Sequence, residues 1–432
     1  MSAATTRRHI LTASAAGAFS KIMGANERVN VAIVGVGGRG TNHLTEYCKL
    51  PNAKVAAVVD VDQSAQERAS ALVEKLSGHK PKTYYDMRQA YGDKDIDAVS
   101  IATPNHWHVL AALWAVQAGK DVYVEKPVSH NIFEGRQLTA AARKYNRMIQ
   151  VGQQSRSTPH KMRAMELLRQ GVIGKVYLAK GLCYKRRKSI GHKPDEPTPA
   201  GVNWDLFLGP APMRPFNANR FKYNWHWFWD TGNGDIGNQG VHEMDVALWG
   251  LGKTTSPKSV TCTGGKFAYD DDQETANTQL ASFDFGDAQL VFEVRGLLTL
   301  DEGGLKRRGN NTVGDIFYGT EGVLAIDGSG FQVFKGENME LAMDEKAVRG
   351  ESETGAHMTN LIHAIKSRNH QDLHCDVETG ALSASLCHMA NISYRLGRKL
   401  NYDAATGRFN DAEANKMITR NYRAPYIVPE KV

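Results

Sequence analysis

A short strand that runs straight into a glycine-rich turn is the feature that most constrains how this chain folds. The β-branched run Val29–Val34 is followed by Gly35-Val36-Gly37-Gly38-Arg39-Gly40, and residues at helical spacing continue from Thr41. Gly35 permits a tight turn, Gly37 lets a pyrophosphate approach the backbone, and Gly40 allows the helix to pack closely on the strand. The amides and dipole at the helix start favour phosphate. The pattern predicts a Rossmann-type dinucleotide site, with Gly38 and Arg39 as further cofactor contacts.

A carboxylate at the end of the next strand indicates which dinucleotide is bound. Residues 55–59 form a second apolar strand, and Asp60 follows it. A carboxylate at this distance beyond the glycines accepts hydrogen bonds from the adenosine ribose hydroxyls and repels a 2′-phosphate. The sequence therefore predicts NAD. NADP stays open because Arg39 or another nearby cation could accommodate the phosphate.

Strands and helices alternate through the first third of the chain. The periodicity predicts helices over 63–76, 108–118 and 132–145 and strands over 82–84, 98–102, 121–124 and 148–151. Such alternation is typical of a doubly wound parallel sheet, in which ligands bind beyond the carboxyl ends of the strands. Polar clusters at three of these ends are therefore candidate cofactor or substrate contacts: Thr103-Pro104-Asn105 with His108, Glu125-Lys126, and Gln153 with Arg156.

The rest of the chain has a different periodicity. Strands of alternating polarity are predicted over 176–183, 259–264, 278–284, 289–294, 315–318 and 323–327, which suits an antiparallel sheet with one covered face. A helix around 380–396 carries an apolar face. A chain of 432 residues is expected to form two domains. We predict a dinucleotide-binding domain over 27–151, a substrate domain over 152–400 and a C-terminal arm over 401–432.

The N-terminus has the order of regions found in an export signal. Arg7-Arg8 precede a small, mildly apolar stretch that ends at Phe19, and Lys21 and Gly24-Ala25 follow. Residues 1–25 are therefore predicted to be a twin-arginine leader that directs the protein to the periplasm or otherwise out of the cytoplasm. A disordered basic tail is the alternative. Five scattered cysteines without a C-x-x-C pair indicate buried thiols rather than a disulfide framework.

Charge and composition argue against several partners. The formal charge is +7, and without the three basic residues of the leader 50 basic residues face 46 acidic ones, a balance that does not favour nucleic acid. No apolar run has the length of about 20 residues that a membrane span needs. His226, His242, His357 and His363 lack metal-ligand spacing, so no metal is expected. The basic run 185–188 is either a solvated loop or a contact for substrate.

The motifs in this order resemble one family of oxidoreductases. Gly35 to Gly40, Ala102-Thr103-Pro104-Asn105, Glu125-Lys126-Pro127 and the segment 232–245 are together similar to the glucose–fructose oxidoreductase, inositol dehydrogenase and rhizopine-catabolism family, written Gfo/Idh/MocA. The resemblance covers nearly the whole mature chain. It implies a Rossmann domain followed by an α/β domain with a large, mostly antiparallel open sheet, with a sugar, cyclitol or polyol held between them. It also implies a homo-oligomer, either a dimer or a tetramer.

The resemblance further implies that Lys126 contacts the reacting hydroxyl and that His242 is a proton-transfer partner. Hydride leaves a carbon readily only if its hydroxyl loses a proton, so either residue could be the base. Asn238 stands where sugar and inositol dehydrogenases of the family commonly have an aspartate. An amide can orient a histidine but cannot take its proton. Asp235 is a candidate substitute, with a helix-cap role as the alternative.

An aromatic stretch, residues 223–230, precedes the histidine motif. Tyr223 and Trp227 are candidate stacking surfaces for a sugar ring, and a core cluster is the alternative. The primary expectation is an NAD(P)-dependent oxidoreductase that keeps its cofactor tightly bound, because no nicotinamide pool exists outside the cytoplasm. The alternative is an NAD-dependent glycoside hydrolase that oxidises, eliminates, hydrates and re-reduces its substrate, with Tyr184, Tyr223 and Asp230 as candidate acids. A sugar-binding protein without catalysis is the third hypothesis.

Overall fold

The computed structural model describes residues 28–348, 350 and 352–432. The predicted leader lies outside these residues. No helix in the described part of the chain has both the length and the apolar character needed to cross a membrane.

The first part of the chain forms a six-stranded parallel sheet with the order β3-β2-β1-β4-β5-β6. Its strands are β1 (Val29–Val34), β2 (Ala53–Val59), β3 (Lys82–Tyr84), β4 (Ala98–Ile101), β5 (Asp121–Val124) and β6 (Ile149–Val151). The helices between them are α1 (Gly38–Lys49), α2 (Gln63–Ser77), α3 (Met87–Gly92), α4 (His108–Gln117) and α5 (Ile132–Lys144). The predicted doubly wound parallel sheet is confirmed. The strand order reverses between β1 and β4, which opens a crevice at the carboxyl ends of these strands.

The second part is built on a ten-stranded sheet with the order β16-β15-β14-β13-β7-β12-β11-β10-β17-β18. Its strands are β7 (Val176–Lys185), β10 (Ser259–Gly265), β11 (Thr278–Asp284), β12 (Gln289–Arg295), β13 (Asn311–Gly319), β14 (Gly322–Asp327), β15 (Gly330–Lys335), β16 (Glu340–Lys346), β17 (Leu400–Asp403) and β18 (Arg408–Phe409), and a separate pair is formed by β8 (Asp195–Glu196) and β9 (Phe216–Asn217). Strands β7 and β12 are parallel and the other neighbours are antiparallel. The predicted large, mostly antiparallel sheet is confirmed.

Seven α-helices lie among the described residues after β6. They are α6 (Pro159–Arg169), α7 (Trp204–Leu208), α8 (Gly234–Asn238), α9 (Gly240–Gly250), α10 (Glu353–Ser367), α11 (Val377–Leu396) and α12 (Ala412–Lys416). Helices α6, α9 and α11 pack on one face of this sheet. Alternate residues of β12, namely Leu290, Phe292 and Val294, are buried in the core that this face shares with α9 and α11. This packing places the start of α9 beside the Rossmann sheet.

The two parts are joined by shared cores rather than by one linker. Helix α10 inserts Met358, Leu361 and Ile362 into the apolar cluster beneath β1 and α1. The C-terminal segment adds Tyr426 and Val428 to the cluster around β4 and α4. Residues from far along the chain therefore hold the crevice between the two parts in place.

Candidate functional site

A cavity of about 880 Å³, which we call the groove, lies at the carboxyl edge of the Rossmann sheet. One wall is the glycine loop with Asp60 and the strand-end residues Thr103, Pro104, Asn105, His108, Glu125 and Lys126. The opposite wall comes from the second part and includes Tyr223, Trp225, His226 and Asn238. The groove thus runs along the whole predicted dinucleotide site.

The glycine loop has the shape that a pyrophosphate requires. Gly35 has a φ of 81°, and a Cβ at Gly40 would lie 1.8 Å from the Gly35 carbonyl oxygen, so neither position accepts a side chain. A Cβ at Gly37 or Gly38 would meet no atom within 4 Å. These two glycines face open space, and a side chain at either position would occupy the volume in which a phosphate would bind.

Two further polar groups in the groove fit a dinucleotide. Asp60 accepts hydrogen bonds from the backbone N–H groups of Val36 at 2.7 Å and Asp62 at 3.0 Å, which holds its carboxylate at the end of β2. Burial raises the pKa of Asp60, and these backbone bonds oppose that effect. The buried Thr103 hydroxyl has no hydrogen-bond partner among the described residues. A bound ligand would satisfy this hydroxyl, because buried polar groups are normally paired.

Lys126 lies where the two parts meet. Its Nζ donates to the backbone carbonyl of Asn238 at 2.5 Å. Burial lowers the pKa of Lys126, while the neighbouring Glu125 carboxylate raises it and Arg39 lowers it. A lysine with a lowered pKa can act as a proton acceptor closer to neutral pH than a solvated one.

The residue before the lysine, Glu125, is a buried carboxylate held by several hydrogen bonds. Glu125 accepts hydrogen bonds from Arg39 at 2.7 Å, Gln154 at 3.0 Å and the ring of His43 at 2.9 Å. Burial alone would raise the pKa of Glu125, but the Arg39 charge and the His43 hydrogen bond outweigh it and hold the pKa well below its usual range. Glu125 therefore stays ionised and positions the loop that carries Lys126.

Asn238 links the lysine to an aromatic wall. Its side-chain amide donates to the Tyr223 hydroxyl at 3.2 Å and to Asp235 at 3.3 Å. Asp235 is held by two hydrogen bonds from Arg187, at 2.9 and 2.7 Å, and lines neither of the two cavities described here. The hypothesis that Asp235 substitutes for the missing aspartate has no support from this geometry, because its carboxylate already neutralises Arg187.

His242 lies on a second, more polar cavity of about 430 Å³, which we call the polar cavity. Its other walls include Gln154, Ser155, Lys161, Lys185, Gln239, Glu243 and Asp315, and Arg39 lines both cavities. Burial and, next, the charge of Lys126 lower the pKa of His242 well below its usual value. The ring is therefore neutral at neutral pH, and its side chain makes no hydrogen bond among the described residues. The structure places Lys126 on the groove and His242 on the polar cavity.

Several predicted site residues lie elsewhere. Gln153 is buried and donates to the Val241 carbonyl at 3.3 Å. Arg156 forms a buried ion pair with Asp245, at 2.7 and 3.0 Å. Trp227 is buried beneath the guanidinium of Arg187. These side chains support the two cavity walls without lining them.

Two of the candidate acids are also engaged away from the cavities. Tyr184 donates to Glu293 at 2.6 Å, and Asp230 pairs with Arg214 at 2.5 Å. The third, Tyr223, does line the groove. Sequence reasoning missed Glu243 and Asp315, although Glu243 directly follows the histidine that it singled out.

A segment of the second part crosses the adenosine end of the groove. We call residues 201–209 the strap. Its backbone pairs with the loop after β2: Gln63 N–H donates to the Gly201 carbonyl at 2.9 Å, and Asn203 N–H donates to the Val61 carbonyl at 2.8 Å. Trp107 Nε1 donates to the Leu206 carbonyl at 3.0 Å. These contacts close the groove next to Asp60.

The C-terminal segment holds the strap from outside. Arg423 donates to the Asp205 carboxylate at 2.6 Å and to the Gly209 carbonyl at 2.9 Å, and the Tyr426 hydroxyl donates to Asp205 at 3.0 Å. The C-terminal segment thus supports a strap that contributes Leu206 and Phe207 to the groove wall.

Comparisons with known proteins agree with this arrangement. Residues 29–153 match the family described as "Oxidoreductase family, NAD-binding Rossmann fold". Residues 164–283 and 308–428 match "Oxidoreductase family, C-terminal alpha/beta domain".

Among curated relatives, a Glycosyl hydrolase family 109 protein 1 of Shewanella sp. (strain ANA-3) is 29% identical over 154 residues, which are 35% of this chain and 34% of that protein. The match therefore spans about a third of the relative's length. Among solved structures, levoglucosan dehydrogenase in complex with NADH and levoglucosan is 17% identical with a TM-score of 0.67, over 87% of this chain and 99% of that one. Aldose-aldose oxidoreductase from Caulobacter crescentus is 18% identical with a TM-score of 0.64, over 87% and 99%. At these identities the two structures share the fold.

Proposed function

Because the chain belongs to the Gfo/Idh/MocA oxidoreductase family and carries its NAD-binding Rossmann domain, we propose that it transfers hydride at a hydroxyl-bearing carbon of a sugar, cyclitol or related polyol. The single observation that carries this proposal is Lys126, which is partly buried between the groove and the second part and whose pKa burial lowers. Levoglucosan is the sugar bound in one of the related structures. The aromatic wall of Tyr223 and Trp225 suits a sugar ring.

The residues of the groove have separable roles. The glycine loop would hold the pyrophosphate and Asp60 the adenosine ribose. Bound NAD supplies the hydride acceptor. Lys126 takes the hydroxyl proton or stabilises the oxyanion that forms as hydride leaves. The Asn238 carbonyl, which accepts a hydrogen bond from Lys126, orients the ammonium group.

We further propose that the cofactor stays bound through the catalytic cycle. The strap supports this proposal because it bonds to the loop after β2, beside the place where the adenosine would lie. The order of regions in residues 1–25 supports export by the twin-arginine pathway, and an exported enzyme would have no free nicotinamide to exchange with. Reduced cofactor would then be reoxidised in place by a second sugar or by the same one.

We also propose that the protein forms a dimer or a tetramer of identical chains. Leu280 is about half exposed on the face of the large sheet that the helices leave open. Exposed apolar side chains on one face are typical of a surface that another subunit covers. The molecular mass in solution, measured by light scattering, tests this proposal.

A second candidate function is glycoside hydrolysis through transient oxidation. The curated relatives named as glycosyl hydrolases favour it, over about a third of their length. Both functions share the hydride step at Lys126. They differ in whether the substrate is changed in oxidation state or cleaved.

One experiment separates the candidates. The protein is purified without added cofactor, bound NAD is identified by absorbance and mass, and the protein is incubated with free sugars and aryl glycosides. Net oxidation of a sugar supports the oxidoreductase, and aglycone release without net NADH supports the hydrolase. Purification without NAD, together with no activity after NAD is added, would overturn the hydride step and leave a sugar-binding protein.

The lysine is tested in the same assay. Lys126→Met should reduce the rate of cofactor reduction by about 10²- to 10⁴-fold, the range typical of a general acid or base, while NAD remains bound. Lys144→Met, a solvent-exposed lysine outside both cavities, is the control. An unchanged rate in Lys126→Met would remove the lysine from the mechanism.

A further inference from the structure

The polar cavity contains a buried carboxyl group that has no partner. Asp315 on β13 is 3% exposed, and its Oδ1 makes no hydrogen bond with any described residue. The residue lines the polar cavity. A buried polar atom without a partner is costly unless a ligand or a proton satisfies it.

A glycine on the neighbouring strand brings a second acid next to it. Asp315 pairs in register with Gly181 of β7. A Cβ at Gly181 would lie 3.3 Å from Asp315 Oδ1 and 3.3 Å from the Cβ of Glu243 on α9. Because Gly181 has no side chain, Asp315 and Glu243 approach the same point on the sheet from two elements.

Glu243 is oriented by its neighbours on the cavity wall. The residue is 7% exposed, and its side chain accepts a hydrogen bond from Gln239 Nε2 at 3.1 Å. Gln239 in turn accepts one from Lys185 at 2.9 Å. Burial raises the pKa of Glu243 to about 7, and the charge of Lys161 opposes this effect. Burial also raises the pKa of Asp315 well above its usual value, and the Glu243 charge adds to that effect.

We propose that Glu243, with Asp315 beside it, is a second acid/base residue of the site and exchanges a proton with a substrate oxygen other than the hydroxyl that is oxidised beside Lys126. The proposal rests on the proposed hydride step and goes beyond it. A plain dehydrogenase needs no such group, whereas cleavage of a glycoside does. The ligand class is therefore a glycoside whose leaving oxygen reaches the polar cavity.

The chemistry balances with the groups that line this cavity. Once the oxidised carbon is a ketone, the adjacent C–H bond is acidic, and neutral His242 takes its proton. The C–H electron pair becomes a C=C bond, and the next C–O bond breaks. The leaving oxygen keeps that bond's electron pair and takes the proton of Glu243.

Hydration then reverses these transfers. The oxygen of water bonds to the carbon that lost the aglycone, one water proton goes to the Glu243 carboxylate, and His242 returns its proton to the adjacent carbon. The hydride removed at the start returns to the ketone. No external oxidant or reductant is consumed.

The test compares leaving groups. In the holoenzyme, Glu243→Gln should lower aglycone release from 4-methoxyphenyl glycosides by about 100-fold or more, the typical contribution of a general acid. With 2,4-dinitrophenyl glycosides, whose leaving oxygen needs no proton, the loss should shrink to a few-fold. Cofactor reduction at the hydride step should stay near the wild-type rate. Glu166→Gln makes the same chemical change on a carboxylate of α6 that lines neither cavity and is the matched control.

The other outcomes overturn either the acid/base role of Glu243 or the proposed function. If Glu243→Gln slows aglycone release by the same factor with both leaving groups, the acid/base role is overturned while the hydride step stands. The same holds if the wild type reduces its cofactor with sugars but cleaves no glycoside. If the cofactor is never reduced, the proposed function itself fails.

Infrared difference spectra give a readout without substrate. At pH 6 the protonated-carboxyl absorption of wild type should include a contribution from Glu243 that Glu243→Gln lacks, while the contribution of Asp315 remains, and a spectrum without that difference would also overturn the proposal.

Discussion

At the scale of single residues, the carboxylate of Glu125 is the charge on which the lysine loop depends. Glu125→Gln would remove the negative charge of the carboxylate to which both Arg39 and His43 are hydrogen-bonded. We expect a loss of about 2 kcal/mol in the free energy of unfolding, below the usual cost of breaking a fully buried pair because Arg39 is 38% exposed. Chemical denaturation of wild type and variant measures this difference.

The same substitution should move the pH profile of the hydride step. The Glu125 charge raises the pKa of Lys126, so its removal lets burial lower that pKa further. If deprotonated Lys126 is the base, the rising limb of activity shifts to lower pH in Glu125→Gln. Glu166→Gln, an exposed carboxylate on α6, should leave the profile where it is. A limb that moved to higher pH would contradict the role of Lys126 as base.

Glu243 should make stability depend on pH in a defined direction. Its pKa rises on folding from an ordinary 4.5 to about 7 because of burial. The folded protein therefore holds this proton more tightly, and the stabilisation is fully present below about pH 4.5 and is lost as the pH rises through about 7. A shift of this size corresponds to about 3 kcal/mol.

Thermal unfolding between pH 5 and pH 8 measures this effect. Glu243→Gln carries no titrating proton, so its melting temperature should fall less over that range than that of wild type. Asp315, whose pKa also rises on folding, acts in the same direction and should preserve part of the slope. Identical slopes in the two proteins would mean that Glu243 is ionised when folded.

Residue roles could be predicted where a local motif decides the geometry and not where two helices meet. Lys126 and Asn238 were both predicted to be site residues, and Lys126 Nζ donates a hydrogen bond to the Asn238 backbone carbonyl. Asn238 ends α8, whereas His242 lies in the first turn of α9, so a spacing of four residues does not put them on one face. The register of Asp315 against Gly181 comes from pairing between distant strands, which no local pattern reveals.

At the scale of elements, periodicity predicted most of the strands, four helices of the first part and α11, but missed the remaining helices and the strands with weak patterns. Strand β16 lies at a sheet edge with mostly exposed side chains, so it lacks the alternation of a half-buried strand. Helix α10 does repeat its buried residues at helical spacing, at Met358, Leu361 and Ile362, and could have been found. Strand β18 and all but the first residue of β17 fall within the region predicted as an arm, and each strand is only a few residues long.

The contacts of the strap allow a direct test of cofactor retention. Arg423→Ala removes its hydrogen bonds to Asp205 and Gly209 while the backbone pairs with the loop after β2 remain. We expect bound NAD to dissociate about ten times faster, equivalent to the loss of one charge-assisted hydrogen bond. Release is measured by fluorescence of the reduced cofactor after dilution. Arg408→Ala, an exposed arginine on β18, is the control, and equal release from both variants would show that the strap does not limit exit.

At the scale of the whole molecule, the two parts do not correspond to two independent cores. The sheet of the first part is covered by α10 and by the C-terminal segment, whose residues lie more than 200 positions beyond β6 in sequence. A composition-based division cannot detect this arrangement, because each segment looks like an ordinary amphipathic element. The consequence concerns folding rather than chemistry.

A fragment of residues 27–151 should therefore fail to fold on its own. It keeps every strand of the parallel sheet but loses Met358, Leu361 and Ile362 from one core cluster and Val377 and Tyr426 from another. Burying one such side chain contributes about 1.5 to 3 kcal/mol, so the loss of five approaches or exceeds the total stability of a typical domain. Circular dichroism and dye binding should report an expanded fragment with exposed apolar surface, whereas residues 28–432 should unfold in a single thermal transition. A fragment that melts cooperatively and binds NAD would show instead that the distant segments only cover a core that is already complete, and that the first part suffices to hold the cofactor.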